Sequence, residues 1–304
     1  MYYIKYSFID HSRIIEVNKN FGTISMLELV LQGGKLSASQ ISQLEAKFDS
    51  TAIYGKSSIR LAISVPLDKK SLAELREKYS CDVNILPSGF DPKKVKMVIS
   101  DMDSTLISIE CIDEIADYAN IKDKVSEITE QAMRGELDFA QSLTARVKLL
   151  AGLDESALQK VYDDRLNLNP GAEEMLAALK ANDIKFTLVS GGFTFFTDRL
   201  KPRLGIDYTL ANTLERKDGK LTGAVVGDIV GAEAKAEFLL ARCDELGISP
   251  SQVLAIGDGA NDLKMMSVAG VGVAYYAKPK VQLEADCALN HTGLEGLIGL
   301  LGLD

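Results

Sequence analysis

The 304-residue sequence has no tryptophan, two histidines and four cysteines. No C-x-x-C pair occurs among the cysteines, so the sequence predicts neither a disulfide framework nor a zinc knuckle; they are Cys81, Cys111, Cys243 and Cys287. No run approaches the roughly 18 apolar residues of a membrane span, and the start "MYYIKYSFIDH" lacks the pattern of a secretion signal. We therefore expect a cytoplasmic protein with reduced thiols and no membrane partner.

Positive charge is also in short supply. The chain has 34 Lys and Arg residues against 43 Asp and Glu residues, which gives a formal net charge of −9. This balance argues against a nucleic-acid partner and against binding to anionic membrane surfaces. Any phosphate site must therefore be locally positive.

Apolar runs alternate with helical patterns from about residue 93 onward. Continuous apolarity is typical of strands that are covered on both faces, so the pattern predicts an α/β fold with a doubly wound parallel sheet. Asn169 and Pro170 are predicted to cap and open the helix "EEMLAALKA", and Asp218-Gly219 predicts a β-hairpin. The runs are "VKMVIS" (95–100), "IKFTLVS" (184–190), "QVLAIG" (252–257) and "GVGVAY" (270–275).

Two stretches fall outside this alternation. Residues 109–168 are helical throughout and too long for a simple crossover, which predicts a helical cap inserted into a core of residues 93–304. Residues 1–88 form a separate unit with three strand patterns and two helical patterns. The unit resembles small α+β modules, such as the ACT family, that bind amino acids or pair into homodimers. The patterns are "YYIKYSF", "TISMLELVL", "SIRLAISV", "SASQISQLEAKF" and "SLAELREKY".

Polar residues follow three of the predicted strands directly. Because the carboxyl ends of parallel strands lie at one edge of the sheet, we expect these residues to meet there. In an extended chain, residues two apart also face the same side, which places the first two carboxylates together. The set is Asp101, Asp103, Ser190, Gly191, Gly192, Asp258, Asn261 and Asp262.

Four clustered carboxylates repel one another unless a cation lies between them. Oxygen ligands of this kind suit Mg²⁺, which uses few carboxylates together with water and substrate phosphate. Lys235, on the helix that begins near Gly231, adds positive charge. Ser190 and the N–H groups of the turn at Gly191 add hydrogen bonds to phosphate oxygens. The predicted site therefore binds a phosphate group beside a metal ion.

The ordered motifs "DMDST", "SGG", a helical lysine and "GDGAND" resemble the haloacid dehalogenase superfamily of aspartate-nucleophile phosphotransferases over residues 95–290. The resemblance implies that Asp101 attacks phosphorus and forms an aspartyl-phosphate, while Asp103 acts as acid and then as base. It also implies roles for further residues. These are metal contacts from Asp101, the Asp103 main-chain carbonyl, Asp258 and nearby Asp262, phosphoryl contacts from Lys235, and ordering of the site by Asn261.

Two charged residues of the predicted cap bear on the substrate. Arg146 borders an apolar helix face, so its guanidinium either reaches water or faces a carboxylate in the closed site. Glu110 complements an ammonium group, and the pair favours a zwitterionic substrate.

The segments "DMDSTLISIECIDEIA", "GELDFAQSLTARV" and "LVSGGF" resemble the phosphoserine phosphatase family. In the cap, that resemblance implies that Glu110 and Arg146 bind the amino and carboxylate groups of L-phosphoserine, and that Met133 and Phe139 line the pocket. The implied reaction is hydrolysis of O-phospho-L-serine to L-serine and phosphate, the last step of serine biosynthesis.

Alternative functions remain open from the sequence. The same catalytic residues would also fit hydrolysis of another small phosphomonoester, or transfer of the phosphoryl group to homoserine. A function of a different class makes the chain an amino-acid-sensing or assembly protein whose active part is residues 1–86. Feedback by serine through that unit is compatible with either role.

Overall fold

A computed structural model describes residues 27–303, which form two sheets with helices packed against them. The strand predicted in "YYIKYSF" lies outside the described residues. None of the helices in residues 27–303 combines the length and the apolar character that crossing a bilayer requires.

Residues 27–85 form an antiparallel sheet of four strands in the order β2-β3-β1-β4. Two helices cover one face, and Leu29, Leu44 and Leu61 are fully buried in the core between sheet and helices. Ser37 and Asp68 cap the two helices through side-chain hydrogen bonds. The elements are β1 (Leu27–Gln32), α1 (Ala38–Phe48), β2 (Ile53–Tyr54), β3 (Ile59–Ile63), α2 (Lys69–Tyr79) and β4 (Asp82–Ile85).

Five helices follow the first strand of the second sheet and precede its second strand, and the first four of them form one segment. The third of these helices packs against the hydrophobic core through the buried side chains of Leu143 and Val147. Arg165 forms ion pairs with Glu114 and Asp117 and so ties the end of this segment to its first helix. The elements are β5 (Met97–Ser100), α3 (Cys111–Tyr118), α4 (Lys122–Met133), α5 (Phe139–Lys148) and α6 (Ser156–Asp164).

The second sheet has seven strands in the order β11-β10-β9-β5-β6-β7-β8, and all neighbours are parallel except the β7–β8 hairpin. The predicted α/β fold is confirmed, and the four apolar runs are β5, β6, β9 and β10. Asp218 and Gly219 have φ values of 52° and 75°, as the tight hairpin turn requires. The strands after β5 are β6 (Lys185–Phe193), β7 (Tyr208–Lys217), β8 (Lys220–Val226), β9 (Val253–Gly257), β10 (Val271–Tyr275) and β11 (Cys287–Leu289).

Helices cover both faces of this sheet. Alternate residues of β5 enter different cores, since Val98 packs on one side and Met97 and Ile99 pack on the other. Burial on both faces explains why the strands are continuously apolar in sequence. The helices are α7 (Ala172–Ala181), α8 (Thr194–Leu204), α9 (Ala232–Leu246), α10 (Leu263–Val268), α11 (Pro279–Glu284) and α12 (Gly296–Leu301).

The two sheets meet where β4 lies beside β11, an edge strand. The Asn84 side chain donates to the carbonyl of Ala288 and accepts from its N–H, both at 2.9 Å, so it satisfies backbone groups that an edge leaves unpaired. The fully buried Asp82 carboxylate accepts from the N–H groups of residues 290–292 at 2.6–3.2 Å and from the Thr292 hydroxyl at 2.9 Å. Buried polar contacts therefore join the N-terminal unit to the core.

Asp82→Ala should destabilise the protein strongly, because it leaves several buried N–H groups without an acceptor. We expect the free energy of unfolding to fall by about 3–5 kcal/mol, measured by urea denaturation. Asp198→Asn, at an exposed position of α8, is the control and should change it by less than about 0.5 kcal/mol. Equal stability of the Asp82 and Asp198 variants would contradict this role of the junction.

Candidate active site

Lys235 lies in the first turn of α9 and is fully buried between two carboxylates. Its Nζ is 2.9 Å from Asp101 Oδ1 and 2.8 Å from Asp262 Oδ1. Burial by itself would lower the pKa of Lys235, but the charges of Asp101 and Asp262 outweigh it and raise the pKa. The lysine therefore remains charged and balances part of the negative charge at this edge of the sheet.

Asp101 directly follows β5 and is almost completely buried at the floor of a cavity. Its Oδ1 accepts hydrogen bonds from Met102 N–H at 2.7 Å and from Lys235. Both contacts use the same oxygen, which leaves Oδ2 without a hydrogen-bond partner among the described residues. Asp101 thus presents one fixed oxygen and one free oxygen, the arrangement that a carboxylate nucleophile needs.

Asp103 lies two residues further along the same turn and lines the same cavity. Its Oδ1 accepts from the N–H of Cys111 at 2.9 Å, and its Oδ2 accepts from the Ser190 hydroxyl at 3.2 Å. Burial raises the pKa of Asp103 to about 6, and the charge of Asp101 contributes further. A carboxyl group that titrates close to neutral pH is suited to giving and taking a proton.

Three carboxylates form a cluster that a hard cation fits. Asp101, Asp258 and Asp262 each offer an oxygen, and these atoms lie within 4.8 Å of one another. Burial, followed by the charge of Asp101, raises the pKa of Asp258 to about 6 and that of Asp262 to about 7. The donors are all oxygens, which matches the preference of Mg²⁺ and Ca²⁺ and not that of a thiolate-binding metal. The Asp103 side chain lies outside this cluster.

A cavity of about 170 Å³ opens over these acids, between the sheet edge and the α3–α6 segment. Its walls bring together most of the residues that the sequence analysis selected. Ser190 reaches the site through Asp103, and Lys235 and Asp262 lie beneath the cavity floor. The selected residues that line the cavity are Asp101, Asp103, Glu110, Phe139, Arg146, Gly191, Gly192, Asp258 and Asn261.

Glu110 and Arg146 are the charged groups on the α3–α6 side of the cavity. Glu110 Oε1 accepts from the Ser104 hydroxyl at 2.6 Å, and removal from bulk water together with the charge of Asp103 raises the pKa of Glu110. Arg146 Nε is 3.4 Å from the Ser142 carbonyl, and its guanidinium forms no ion pair with any residue in 27–303. Its remaining N–H groups are therefore available to a carboxylate or another anion.

Phe139, at the start of α5, closes the cavity from the side. A Cβ atom at Gly191 would lie 2.6 Å from Phe139 Cζ, so only glycine permits this close approach of ring and backbone. Met133 does not line the cavity, in contrast to the prediction. It is 66% exposed at the end of α4, with Sδ 3.8 Å from Lys278 Nζ, and lines a wider outer groove.

The sequence analysis missed the roles of several polar side chains. Thr105 Oγ1 donates to Asp258 Oδ1 at 3.2 Å and orients that carboxylate. The expected helix cap at Asn169 is wrong, since Gly171 occupies the N-cap position of α7. The Asn169 amide instead donates to backbone carbonyls of residues 104–107. The adjacent Ser104-Thr105 pair is the sequence feature that indicates such contacts, because each hydroxyl has an O–H group that can donate to a nearby carboxylate.

The comparisons with known proteins agree with this geometry. A family model described as haloacid dehalogenase-like hydrolase matches residues 95–270. The chain is 52% identical over 224 residues to the phosphoserine phosphatase of a Polaromonas species, covering 72% of this chain and 95% of the relative. It is 43% identical over 276 residues to the phosphoserine phosphatase of Haemophilus influenzae, covering 90% and 88%. Among solved structures it is similar to an unliganded probable phosphoserine phosphatase from Vibrio cholerae, with a TM-score of 0.79, 38% identity and coverage of 91% and 86%.

The acid cluster predicts how the stability of the metal-free protein depends on pH. The folded-state pKa values of Asp103 and Asp258, about 6, and of Asp262, about 7, lie above the ordinary value of 3.8. These three groups therefore bind more protons in the folded state than in the unfolded state across this window. Their contribution to stability is greatest below the ordinary pKa and is lost as pH rises through the folded-state pKa values.

Thermal unfolding in the presence of EDTA measures this effect. The midpoint should fall between about pH 5 and pH 7.5, and Asp258→Asn should reduce the slope because one of these groups no longer titrates. Asp198→Asn should keep the wild-type slope. A midpoint difference between wild type and Asp258→Asn that is constant over the window would contradict the assignment.

Proposed function

This chain belongs to the haloacid dehalogenase-like hydrolase family, and from that premise we propose that it hydrolyses O-phospho-L-serine to L-serine and phosphate. The relatives named phosphoserine phosphatase support the substrate. The observation that carries the proposal is that the cavity above Asp101 contains both a guanidinium without an ion-pair partner in residues 27–303, that of Arg146, and the Glu110 carboxylate. A small zwitterion that carries a phosphate matches these three features together.

The substrate lies with its phosphate over Asp101 and its amino-acid end toward the α3–α6 segment. Arg146 binds the carboxylate and Glu110 binds the ammonium group. Phosphate oxygens accept from the backbone at Gly191, with Lys235 and Asn261 beside them. These contacts select a substrate whose charged groups are spaced as in phosphoserine, and the remaining cavity excludes larger esters.

Asp101 then attacks phosphorus, and the bond between phosphorus and the serine oxygen breaks. Asp103 gives its proton to that oxygen, so serine leaves as the neutral alcohol. In the second step Asp103 takes a proton from water, whose oxygen attacks phosphorus and releases the Asp101 carboxylate. The position of the Asp103 pKa near neutrality suits both transfers.

A metal ion completes the charge balance in this proposal. Asp101, the Asp103 main-chain carbonyl, Asp258 and Asp262 are the residues that would hold Mg²⁺. When bound, Mg²⁺ neutralises charge on the phosphate oxygens. Thr105 keeps Asp258 oriented toward the cluster, and Lys235 donates a hydrogen bond to Asp262 Oδ1 at 2.8 Å beside it.

The proposal extends to the setting of the enzyme. It acts as the last step of serine biosynthesis in the cytoplasm, on a free small molecule. Pairing of two copies through the N-terminal unit is a further part of the proposal, which the ACT-like sequence pattern supports.

Phosphate release from L-phosphoserine, with and without Mg²⁺, tests the function directly. We expect turnover that depends on Mg²⁺ and that Asp101→Asn lowers by on the order of 10³-fold or more, because the attacking oxygen is lost. Asp198→Asn, the exposed control, should retain wild-type kcat and KM.

A panel of phosphomonoesters tests the substrate. O-Phosphoethanolamine lacks the carboxylate and should be a poor substrate for the wild type. Faster turnover of another ester, or phosphohomoserine formed when homoserine is added, would contradict the proposed substrate while leaving the chemistry at Asp101 in place.

A further inference from the structure

Ser104 has a backbone conformation that serine seldom adopts. Its φ and ψ are 56° and −1°, in the left-handed region where a Cβ atom is unfavourable. Glycine would take this conformation without that cost. A serine in this conformation therefore points to a role for its side chain.

The surrounding contacts hold the conformation in place. Asn169 Nδ2 lies 3.3 Å from the carbonyl oxygen of Ser104, 2.8 Å from that of Thr105 and 3.2 Å from that of Ile107. The N–H of Ser104 donates to the Ile109 carbonyl at 3.2 Å. The loop is therefore fixed from both sides, independently of the Ser104 side chain.

Within residues 27–303, the Ser104 hydroxyl makes one hydrogen bond, and its partner is Glu110. Oγ donates to Oε1 at 2.6 Å, a short hydrogen bond to a carboxylate. Glu110 occupies the N-cap position of α3 but makes no capping bond with its side chain. No other side chain in residues 27–303 orients this carboxylate, and Oε2 is left for a ligand.

We propose that Ser104 is a positioning residue that sets selectivity for the amino group of the substrate by fixing the Glu110 carboxylate. The left-handed backbone aims the hydroxyl at Glu110, and the bond to Oε1 turns Oε2 toward an ammonium group. This inference rests on the proposed function. It assigns the recognition of the ammonium group to the catalytic loop itself, one residue from Asp103.

Two variants separate the hydroxyl from the backbone. Ser104→Gly and Ser104→Ala both remove the hydrogen bond, but only glycine relieves the unfavourable φ. The thermal midpoint should therefore be higher for Ser104→Gly than for Ser104→Ala. Both should alter selectivity equally, because both lack the hydroxyl.

Selectivity is the ratio of kcat/KM for L-phosphoserine to kcat/KM for 3-phosphooxypropanoate, which keeps the phosphate and carboxylate but has no amino group. We expect both variants to lower kcat/KM for phosphoserine by about tenfold, as loss of a hydrogen bond to a charged group typically does, and to change that for the analogue less than about twofold. In a Glu110→Gln background, Ser104→Gly should change the ratio no further.

An equal loss on both substrates would mean that Ser104 serves only the structure of the loop, and it would overturn the inference. Effects of Ser104→Gly and Glu110→Gln that multiply independently would do the same. If the wild type fails to prefer phosphoserine over the analogue, both the proposed function and the inference fail. A selective wild type with an unchanged ratio in the variants overturns the inference alone.

Discussion

The buried contact of Lys235 with Asp101 and Asp262 is the interaction on which the site depends. Parallel strands deliver several acids to one sheet edge, where they are largely buried. Burial and neighbouring negative charge favour the protonated form of such acids, as the raised pKa of Asp103 shows. One buried lysine supplies positive charge permanently, and in the proposed mechanism a divalent cation would supply more. The lysine also holds the proposed nucleophile, Asp101, by one oxygen.

The two sides of the cavity have different tasks. The sheet edge carries groups that any phosphate ester requires, and they are fixed by strands whose side chains are almost fully buried. The α3–α6 side carries Glu110 and Arg146, and in the proposed function these two residues distinguish one ester from another. Ser104 connects the two sides, since it belongs to the catalytic loop and contacts Glu110. On this proposal, selectivity is not confined to the cap. The N-terminal unit, anchored through Asp82, lies beside the edge strand β11.

The central strands and the acids that follow them can be predicted from the sequence, because they leave a distinct residue pattern. Strands buried on both faces are continuously apolar, so β5, β6, β9 and β10 were predicted, and the acids that follow them marked the site. Short strands carry no such pattern: β4 and β11 are defined by tertiary contacts such as that between Asn84 and Ala288. Met133 is 66% exposed, and an apolar residue within a helical pattern carries no sequence signal for such a position, because methionine is more often buried. The left-handed backbone of Ser104 depends on Asn169, which lies 65 residues away in the chain.

The central claim is that a carboxylate oxygen of Asp101 becomes covalently bonded to phosphorus. Acid quenching within one turnover, followed by borohydride reduction and peptide mass spectrometry, tests it most directly, since borohydride converts an aspartyl-phosphate to homoserine. The account predicts homoserine at position 101 in samples quenched with L-phosphoserine and Mg²⁺, and unmodified aspartate without substrate. Rapid phosphate release with unmodified aspartate at position 101 at every quench time would contradict it.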